Sequence, residues 1–351
     1  MEDAMANNSN AVNDVQEEKK TYSFGNAALA NKKTHTLFEP IKRGIIQDWD
    51  NMELMWGHIF DELNLETKNV NVLMTDSPFN PKENRQKIAE IFFEHFKVKS
   101  LAIMNTAALS MYSTGRVSGL VAESGEGISY TVPVFEGYAL PHAMIKLEVA
   151  GWDVTQQLIK QLEEQKIKVS GEAEHIRLLK EQMCSISQNY HYDMQSNDDP
   201  ISFEDRSYEL PGGEIIQVNH RQRFSSTEVL FNPSLIGQKG KGIAQMAFTS
   251  IEKCDSDLKI NLFNNIVLAG GSTVMPGFKE RFEDEILKLA EHNAKTDINV
   301  YADLHRRHAA WIGGSMLASF STFRDMTITK EEYDNTADIE KTTAILKKSF
   351  N

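Results

Sequence analysis

The chain has 351 residues, which is enough for two domains with separate hydrophobic cores. Hydrophobic residues make up 41% and charged residues 25%, which argues against extensive disorder. The net charge of −13 argues against direct binding to nucleic acid phosphates. The two cysteines, Cys184 and Cys254, exclude a disulfide framework and indicate a reducing compartment, and no apolar run is long enough to span a membrane.

In chain order, the predicted strands and helices alternate, which indicates an α/β fold. Residues 1–20 are polar and are predicted to form a flexible tail. Asp50 and Glu53 are predicted to open a helix. Its inward face would carry six apolar residues: Met52, Met55, Trp56, Ile59, Phe60 and Leu63. Val70–Met74 and Leu101–Met104 are predicted buried strands of the same domain.

A glycine-rich hairpin is predicted within Gly119–Ala143. The apolar run Leu120–Ala122 leads into the tip ESGEG, and Ile128–Phe135 follows as a second strand. Glycines at the tip permit a sharp turn, and the exposed backbone amides can hold a phosphate. Ser124 adds a hydroxyl donor. The motif alone is weak, because any hairpin can carry two glycines.

Two further groups have both a functional and an ordinary structural interpretation. The strand Ile266–Ala269 runs into Gly270-Gly271-Ser272-Thr273 and then a helix, which is a geometry typical of nucleotide sites. By itself, this turn is more simply a tight connection between a strand and a helix. Lys180 and Glu181, within a predicted helix, would ordinarily belong to an exposed helix face.

Longer segments resemble actins and actin-related proteins. They are Glu39–Trp56, Asn80–Glu94, Ser110–Arg116, Gly119–Ala143, Ser207–Val218, Leu268–Gly277 and Trp311–Phe323. The similarity runs from about Gly25 to Phe350. It implies an actin-like two-domain α/β fold, of the superfamily that includes chaperone and sugar-kinase ATPases, with a nucleotide cleft. The first domain would comprise residues 21–120 and 301–351, and the second residues 121–300.

The resemblance also implies a site for ATP or ADP, which we expect to bind with low affinity. Its members would be Ser124, Gly125, Glu126, Gly127, Ile128, Arg177, Lys180, Glu181, Gly270, Gly271, Ser272, Val274 and Arg307. Val274 would lie near the base, and Arg307 stands where actins carry a lysine. The adenosine side of the actin site is therefore largely preserved.

The phosphate side departs from the actin pattern. Glu123 and Glu126 replace aspartates, and each added methylene pushes the carboxylate further into the site. Glu123 is the candidate magnesium ligand, and whether magnesium binds stays open. Thr106 and Tyr130 stand for the glutamine and histidine that place the attacking water, and we interpret both as packing residues. We therefore predict no catalytic residue and very slow or absent ATP turnover.

The first phosphate hairpin of actins is not recognisable, so the fold is predicted to be N-terminally truncated. Val70–Met74 and Leu101–Met104 would then lack neighbouring strands and expose apolar faces. Three explanations stay open: a mispredicted start, strands supplied by a partner, or a rearranged domain.

Two functions remain. The first is a structural or interaction subunit of a cytoskeletal or larger assembly, whose partners are other actin-like subunits, with no membrane or nucleic-acid partner. We place it in the cytoplasm at the cytoskeleton, with an axonemal or nuclear complex as open alternatives. The second is an ATP-hydrolysing, filament-forming actin. A sugar kinase or chaperone is disfavoured, because WIGGSMLASFSTF and KKSF near the C-terminus resemble actins specifically.

Overall fold

The computed structural model describes residues 21–31, 34, 36–167, 169, 173–195, 206–210, 213–290 and 297–336. The predicted tail, residues 1–20, and the segment 337–351 lie outside the described residues. Among the described residues, no helix is both long enough and apolar enough to cross a membrane.

The elements follow one another along the described chain in three groups. The first group is α1 (Gly25–Ala30), β1 (Ile41–Lys42), β2 (Ile45–Ile46), α2 (Trp49–Glu62), β3 (Asn71–Asp76), α3 (Lys82–Glu90), β4 (Ser100–Asn105) and α4 (Thr106–Tyr112). The second is β5 (Gly119–Ser124), β6 (Ser129–Phe135), β7 (Tyr138–Ala139), β8 (Ile145–Leu147), α5 (Gly151–Glu164), α6 (Ala173–Met183), α7 (Tyr190–Gln195), β9 (Arg206–Glu209), β10 (Ile215–Val218), α8 (His220–Ser225), α9 (Ile243–Glu252), α10 (Ser256–Asn264), β11 (Ile266–Ala269), α11 (Phe278–Ala290) and β12 (Val300–Tyr301). The third is α12 (Ala309–Ala318), β13 (Ile328–Thr329) and α13 (Lys330–Asn335).

The larger sheet has the strand order β12-β11-β5-β6-β7, and β8 also pairs with β6. The predicted hairpin is present: β5 and β6 are antiparallel, with Glu123 opposite Tyr130. Successive residues of β5 point to opposite faces, so Leu120 belongs to one hydrophobic core and Val121 to another. Both faces of this sheet are therefore covered. The expected domain boundary at residue 301 falls inside its last strand, β12.

The smaller sheet has the order β13-β4-β3, with β3 parallel and β13 antiparallel to β4. Leu101 and Ile103 pack against the side chains of α2 and α3, and only 3% and 1% of their surfaces remain exposed. The expectation that Leu101–Met104 exposes an apolar face is therefore wrong, because β13 and two helical layers cover it. Beside β4, the side chains of β3 are mostly half-exposed. Among the described strands, β3 pairs with β4 alone.

Helix α2 differs from its prediction in two details. Its N-cap is Asp48 rather than Asp50, because the Asp48 carboxylate accepts a hydrogen bond from the Asn51 amide at 3.1 Å. Met52 and Trp56 are buried as predicted, whereas Ile59 and Leu63 are exposed. The apolar face of α2 is thus narrower than its sequence periodicity suggests.

Candidate functional site

A cavity of about 500 Å³ lies between the β5–β6 hairpin, α6 and the turn that follows β11. It is lined by Glu123, Gly125, Glu126, Arg177, Lys180, Glu181, Gly270, Gly271, Ser272, Val274, Met275 and Arg307. These residues come from four separate stretches of the sequence. The fold therefore brings together groups that the sequence indicated one by one.

The hairpin tip forms one wall of the cavity and is fixed from behind. The Gly125 amide donates to the Ile128 carbonyl at 3.1 Å, which closes the turn. The Gly125 carbonyl accepts from the Gly151 amide at 3.0 Å and from the Ser272 hydroxyl at 2.7 Å. A Cβ on Gly151 would lie 2.5 Å from the Glu126 carboxylate and 3.1 Å from the Gly125 carbonyl oxygen, so glycine at the start of α5 lets the tip dock closely.

Lys180 is only 3% exposed although its ammonium reaches the cavity. Its Nζ donates to the Gly151 carbonyl at 2.7 Å and lies 3.3 Å from Glu126 Oε2. Burying an ammonium is costly unless it is paired. The carboxylate of Glu126 supplies that pairing. Glu126 lies on the hairpin, 54 positions away along the chain.

Glu181 lies between two arginines at the mouth of the cavity. Its carboxylate accepts a hydrogen bond from Arg177 on the preceding helical turn, and another from Arg307 Nη1 at 3.2 Å. Hydrogen bonds from Arg177, first to Glu174 and then to Glu181, raise the pKa of the Arg177 guanidinium and keep it charged. The three side chains form an ion-pair network that joins α6 to the segment preceding α12.

The turn after β11 approaches the hairpin closely. Gly270 has φ +87°, and a Cβ there would lie 2.3 Å from the Ser124 carbonyl oxygen. Arg306 holds the other side of the turn, because its Nη2 donates to the Thr273 carbonyl at 2.8 Å and its Nε to the Thr273 hydroxyl at 3.1 Å. Gly270 and Arg306 therefore position the turn that carries Gly271 and Val274.

A partly buried cluster of polar side chains lies beneath the hairpin. The hydroxyls of Thr106 and Tyr130 are 2.7 Å apart, and Ser110 Oγ donates to Glu123 Oε2 at 3.4 Å. Burial raises the pKa of Glu123, and hydrogen bonds from Tyr130 and Ser110 partly oppose this shift. Burial, followed by the nearby Glu123 charge, raises the pKa of Tyr130 well above its ordinary value. Tyr130 is thus a neutral phenol at physiological pH.

Most of the predicted nucleotide-binding residues line the cavity, but Ser124, Gly127 and Ile128 do not. The Ser124 hydroxyl is buried and lies 2.9 Å from the Ser129 hydroxyl. Gly127 packs on Arg43, whose Nη1 donates to the Gly127 carbonyl at 3.1 Å. The nucleotide-binding assignments themselves stay predictions.

Four residues that position the site were not predicted. Met275 lines the cavity, whereas Arg43, Gly151 and Arg306 hold its walls. A glycine at the start of an amphipathic helix was the available signal for Gly151. Within the described residues, no three His, Cys, Asp or Glu side chains form a metal-binding group. Glu123 remains the candidate magnesium ligand.

The larger and smaller sheets with their covering helices, and the cavity lined by glycine turns, form an α/β architecture of the actin-like class. Comparison with protein families gives the same answer, because the family model described as Actin matches residues 3–176 and again residues 168–342. The chain belongs to the actin family. The predicted family and the predicted actin-like fold are therefore confirmed.

Proposed function

We propose that this actin-family protein is a structural or interaction subunit of a larger assembly, which binds adenine nucleotide weakly and hydrolyses ATP very slowly or not at all. The observation that carries the proposal is that the three cations lining the cavity are paired with carboxylates of the same chain. Lys180 contacts Glu126, and both Arg177 and Arg307 contact Glu181. Each of these three cations already has a carboxylate partner within the protein.

This pairing weakens the site for a polyphosphate. Three glutamates, Glu123, Glu126 and Glu181, line the same cavity as the three cations, so the formal charges cancel. A nucleotide phosphate would have to compete with these carboxylates for the cations and would be repelled by them. The adenosine part is less affected, because Val274 is exposed and the atom nearest to a side chain at Gly271 would be an Arg307 carbon 3.8 Å away. We therefore expect affinity to depend on the adenosine side.

The polar cluster beneath the hairpin supports the absence of efficient hydrolysis. A group that accepts a proton from the attacking water needs a pKa near the working pH. Tyr130 is a neutral phenol whose pKa is raised, and its hydroxyl is engaged with Thr106. The Glu123 carboxyl is held by Ser110 and Tyr130, which reduces its freedom to hold a hydrated magnesium ion.

An exposed apolar surface supports a role in assembly. Val117, Tyr138, Met316 and Phe320 are exposed large hydrophobic residues. Tyr112 connects their elements, because it contacts Gly137 of the β6–β7 turn and packs beside Leu317 of α12. Exposed apolar residues on neighbouring elements commonly belong to protein interfaces when they form a patch. We accordingly propose other actin-like subunits as partners and the cytoplasmic cytoskeleton as the location.

The alternative is an ATP-hydrolysing actin that forms filaments. The observation in its favour is the placement of Gly125, Lys180, Glu181, Gly270 and Gly271 around one cavity. Two measurements on the pure chain separate the functions. We expect calorimetry to find weak ATP and ADP binding with little magnesium dependence, and phosphate release far below that of a conventional actin filament.

Two variants test which side of the cavity binds the nucleotide. Gly271→Leu should abolish the measurable binding, because its side chain would fill the space above the glycine turn. Thr106→Gln should leave affinity nearly unchanged, since Thr106 does not line the cavity. Tight magnesium-dependent ATP binding, rapid turnover, or long filaments pelleted from the isolated protein would support the alternative and refute the proposal.

A further inference from the structure

We propose that a lysine-lined cleft at one end of the smaller sheet binds an acidic segment of a partner protein. We call it the lysine cleft; it has a volume of about 600 Å³ and is lined by Lys68, Lys97, Lys99, Lys330, Glu94 and Glu331, among others. It does not depend on the nucleotide cavity. It rests on the proposed function only in that a subunit of an assembly needs a partner.

The topology of the sheet explains why the lysines meet. Lys68 precedes β3, Lys99 directly precedes β4, and Lys330 directly follows β13. Backbone hydrogen bonds join these ends, because the Lys99 amide donates to Val70 and the Lys330 amide to Lys99, both at 3.0 Å. The opposite end of β4 leads into Thr106, beneath the nucleotide cavity. The two sites therefore lie at opposite ends of the strand.

The charges of the cleft are incompletely balanced within the described part of the chain. Lys330 pairs with Asp334, and Glu94 accepts a hydrogen bond from the Tyr333 hydroxyl at 3.0 Å. Lys68, Lys97 and Lys99 take part in none of the ion pairs between described residues. Such a local cluster of cations, in a chain whose net charge is −13, favours an anionic partner.

The backbone beside the cleft adopts two uncommon conformations. Ile91–His95 forms a π-helical turn at the end of α3, and Lys97 has a φ of +56°. Left-handed backbone is unfavourable for lysine and better tolerated by asparagine. Both π turns and left-handed residues other than glycine are concentrated at functional sites.

The arrangement favours a carboxylate-bearing peptide over a compact phosphate. The lysines are spread over three strand ends, and Glu94 and Glu331 lie among them. A single phosphate would meet these glutamates as like charges, whereas an extended peptide can place its carboxylates beside separate lysines. Lysine ammoniums also lack the forked geometry with which arginine recognises phosphate.

The test uses the full chain and a fluorescein-labelled peptide of eight glutamates, followed by fluorescence anisotropy. We expect binding that weakens as salt increases, and that is at least about tenfold weaker in Lys97→Asn/Lys99→Gln. Asparagine suits the left-handed position, so this variant should fold. The matched control is Lys146→Gln/Lys288→Gln, which removes the same charge from lysines paired with Glu148 and Asp284; its affinity should stay close to that of the native chain.

Three results would overturn the inference: no binding by the native chain, an equal loss in the control variant, or tighter binding of inositol hexakisphosphate or phosphatidylserine vesicles than of the peptide. ADP binding is measured on the same proteins. Unchanged ADP binding by the cleft variant supports a separate site, and a parallel loss overturns it. Peptide binding at the lysines without any ADP binding would refute the proposed nucleotide binding but would still support the lysine cleft as a peptide site.

Discussion

The two sheets differ in how completely their strands are covered. In the larger sheet, β5 has a neighbour on both sides and contributes to hydrophobic cores on both faces. In the smaller sheet, β3 pairs only with β4 among the described strands, and Val72, Leu73 and Met74 are half-buried. The cavity proposed to bind nucleotide is built on the well-covered sheet. The edge of the smaller sheet is less constrained by packing than the strands of the larger sheet around β5.

The largest expected effect is at the turn that follows β11, where the backbone of Gly270 approaches Ser124 of β5. Gly270→Ala should reduce the free energy of unfolding by about 2–5 kcal/mol, because it combines a left-handed backbone with a clash against Ser124. Urea denaturation measures the change. Gly271→Ala is the matched control, because its nearest neighbour, Arg307, is 3.8 Å away, and it should change stability by less than about 0.5 kcal/mol. Equal effects of the two variants would contradict the close approach.

The second prediction compares a central strand of the smaller sheet with its edge. Leu101→Ala should cost about 2–5 kcal/mol, because Leu101 is buried in the core beneath α2 and α3. Leu73→Ala, on β3, should cost about 1–2 kcal/mol, since this side chain is already half-exposed. Denaturation of the two variants under the same conditions gives the difference. A larger loss for Leu73 would mean that the edge of β3 is covered in the folded protein.

The sequence predicted the site better where residues belong to contiguous motifs than where separate segments meet. Gly271 and Val274 belong to the glycine-turn segment that resembles actins, and both line the cavity. Strand alternation explains why Ser124 does not: adjacent strand residues point to opposite faces, so Glu123 and Ser124 cannot both face the cavity. The pairing of Glu126 with Lys180 could not be predicted, because it depends on the docking of the hairpin against α5 and α6.

For the overall fold as well, elements determined by a local pattern were predicted better than contacts between distant segments. Helix α2 was predicted near its observed position by its apolar periodicity, which placed Met52 and Trp56 on the buried face. The coverage of β4 was not predicted, because its second neighbour, β13, lies more than 220 residues away along the chain. Ile328 pairs with Leu101, and no local signal in either segment indicates that partner. Long-range pairing therefore accounts for the wrong expectation about Leu101–Met104.

The smallest expected effect concerns the polar cluster beneath the hairpin. Burial raises the pKa of Glu123 above its ordinary value of 4.5, so the folded state binds this proton more tightly than the unfolded state. The stabilisation is complete below pH 4.5 and is lost as pH rises through the raised pKa. Glu123→Gln mimics the protonated form at every pH. Its stability relative to the native chain should therefore increase from about pH 4 to 8.

The Tyr130→Phe background sharpens this test, because the Tyr130 hydroxyl favours the ionised form of Glu123 and lowers its pKa. Without that hydroxyl, ionised Glu123 is less well stabilised, so the advantage of glutamine at high pH should be larger than in the native background. Urea denaturation of the four proteins at each pH completes the cycle. A constant difference in stability between the native chain and the Glu123→Gln variant across this range would mean that the carboxyl is solvated well enough to keep its ordinary pKa. The polar cluster beneath the hairpin would then be as open to water as the edge of the smaller sheet, and the contrast between the two sheets would not extend to the cavity.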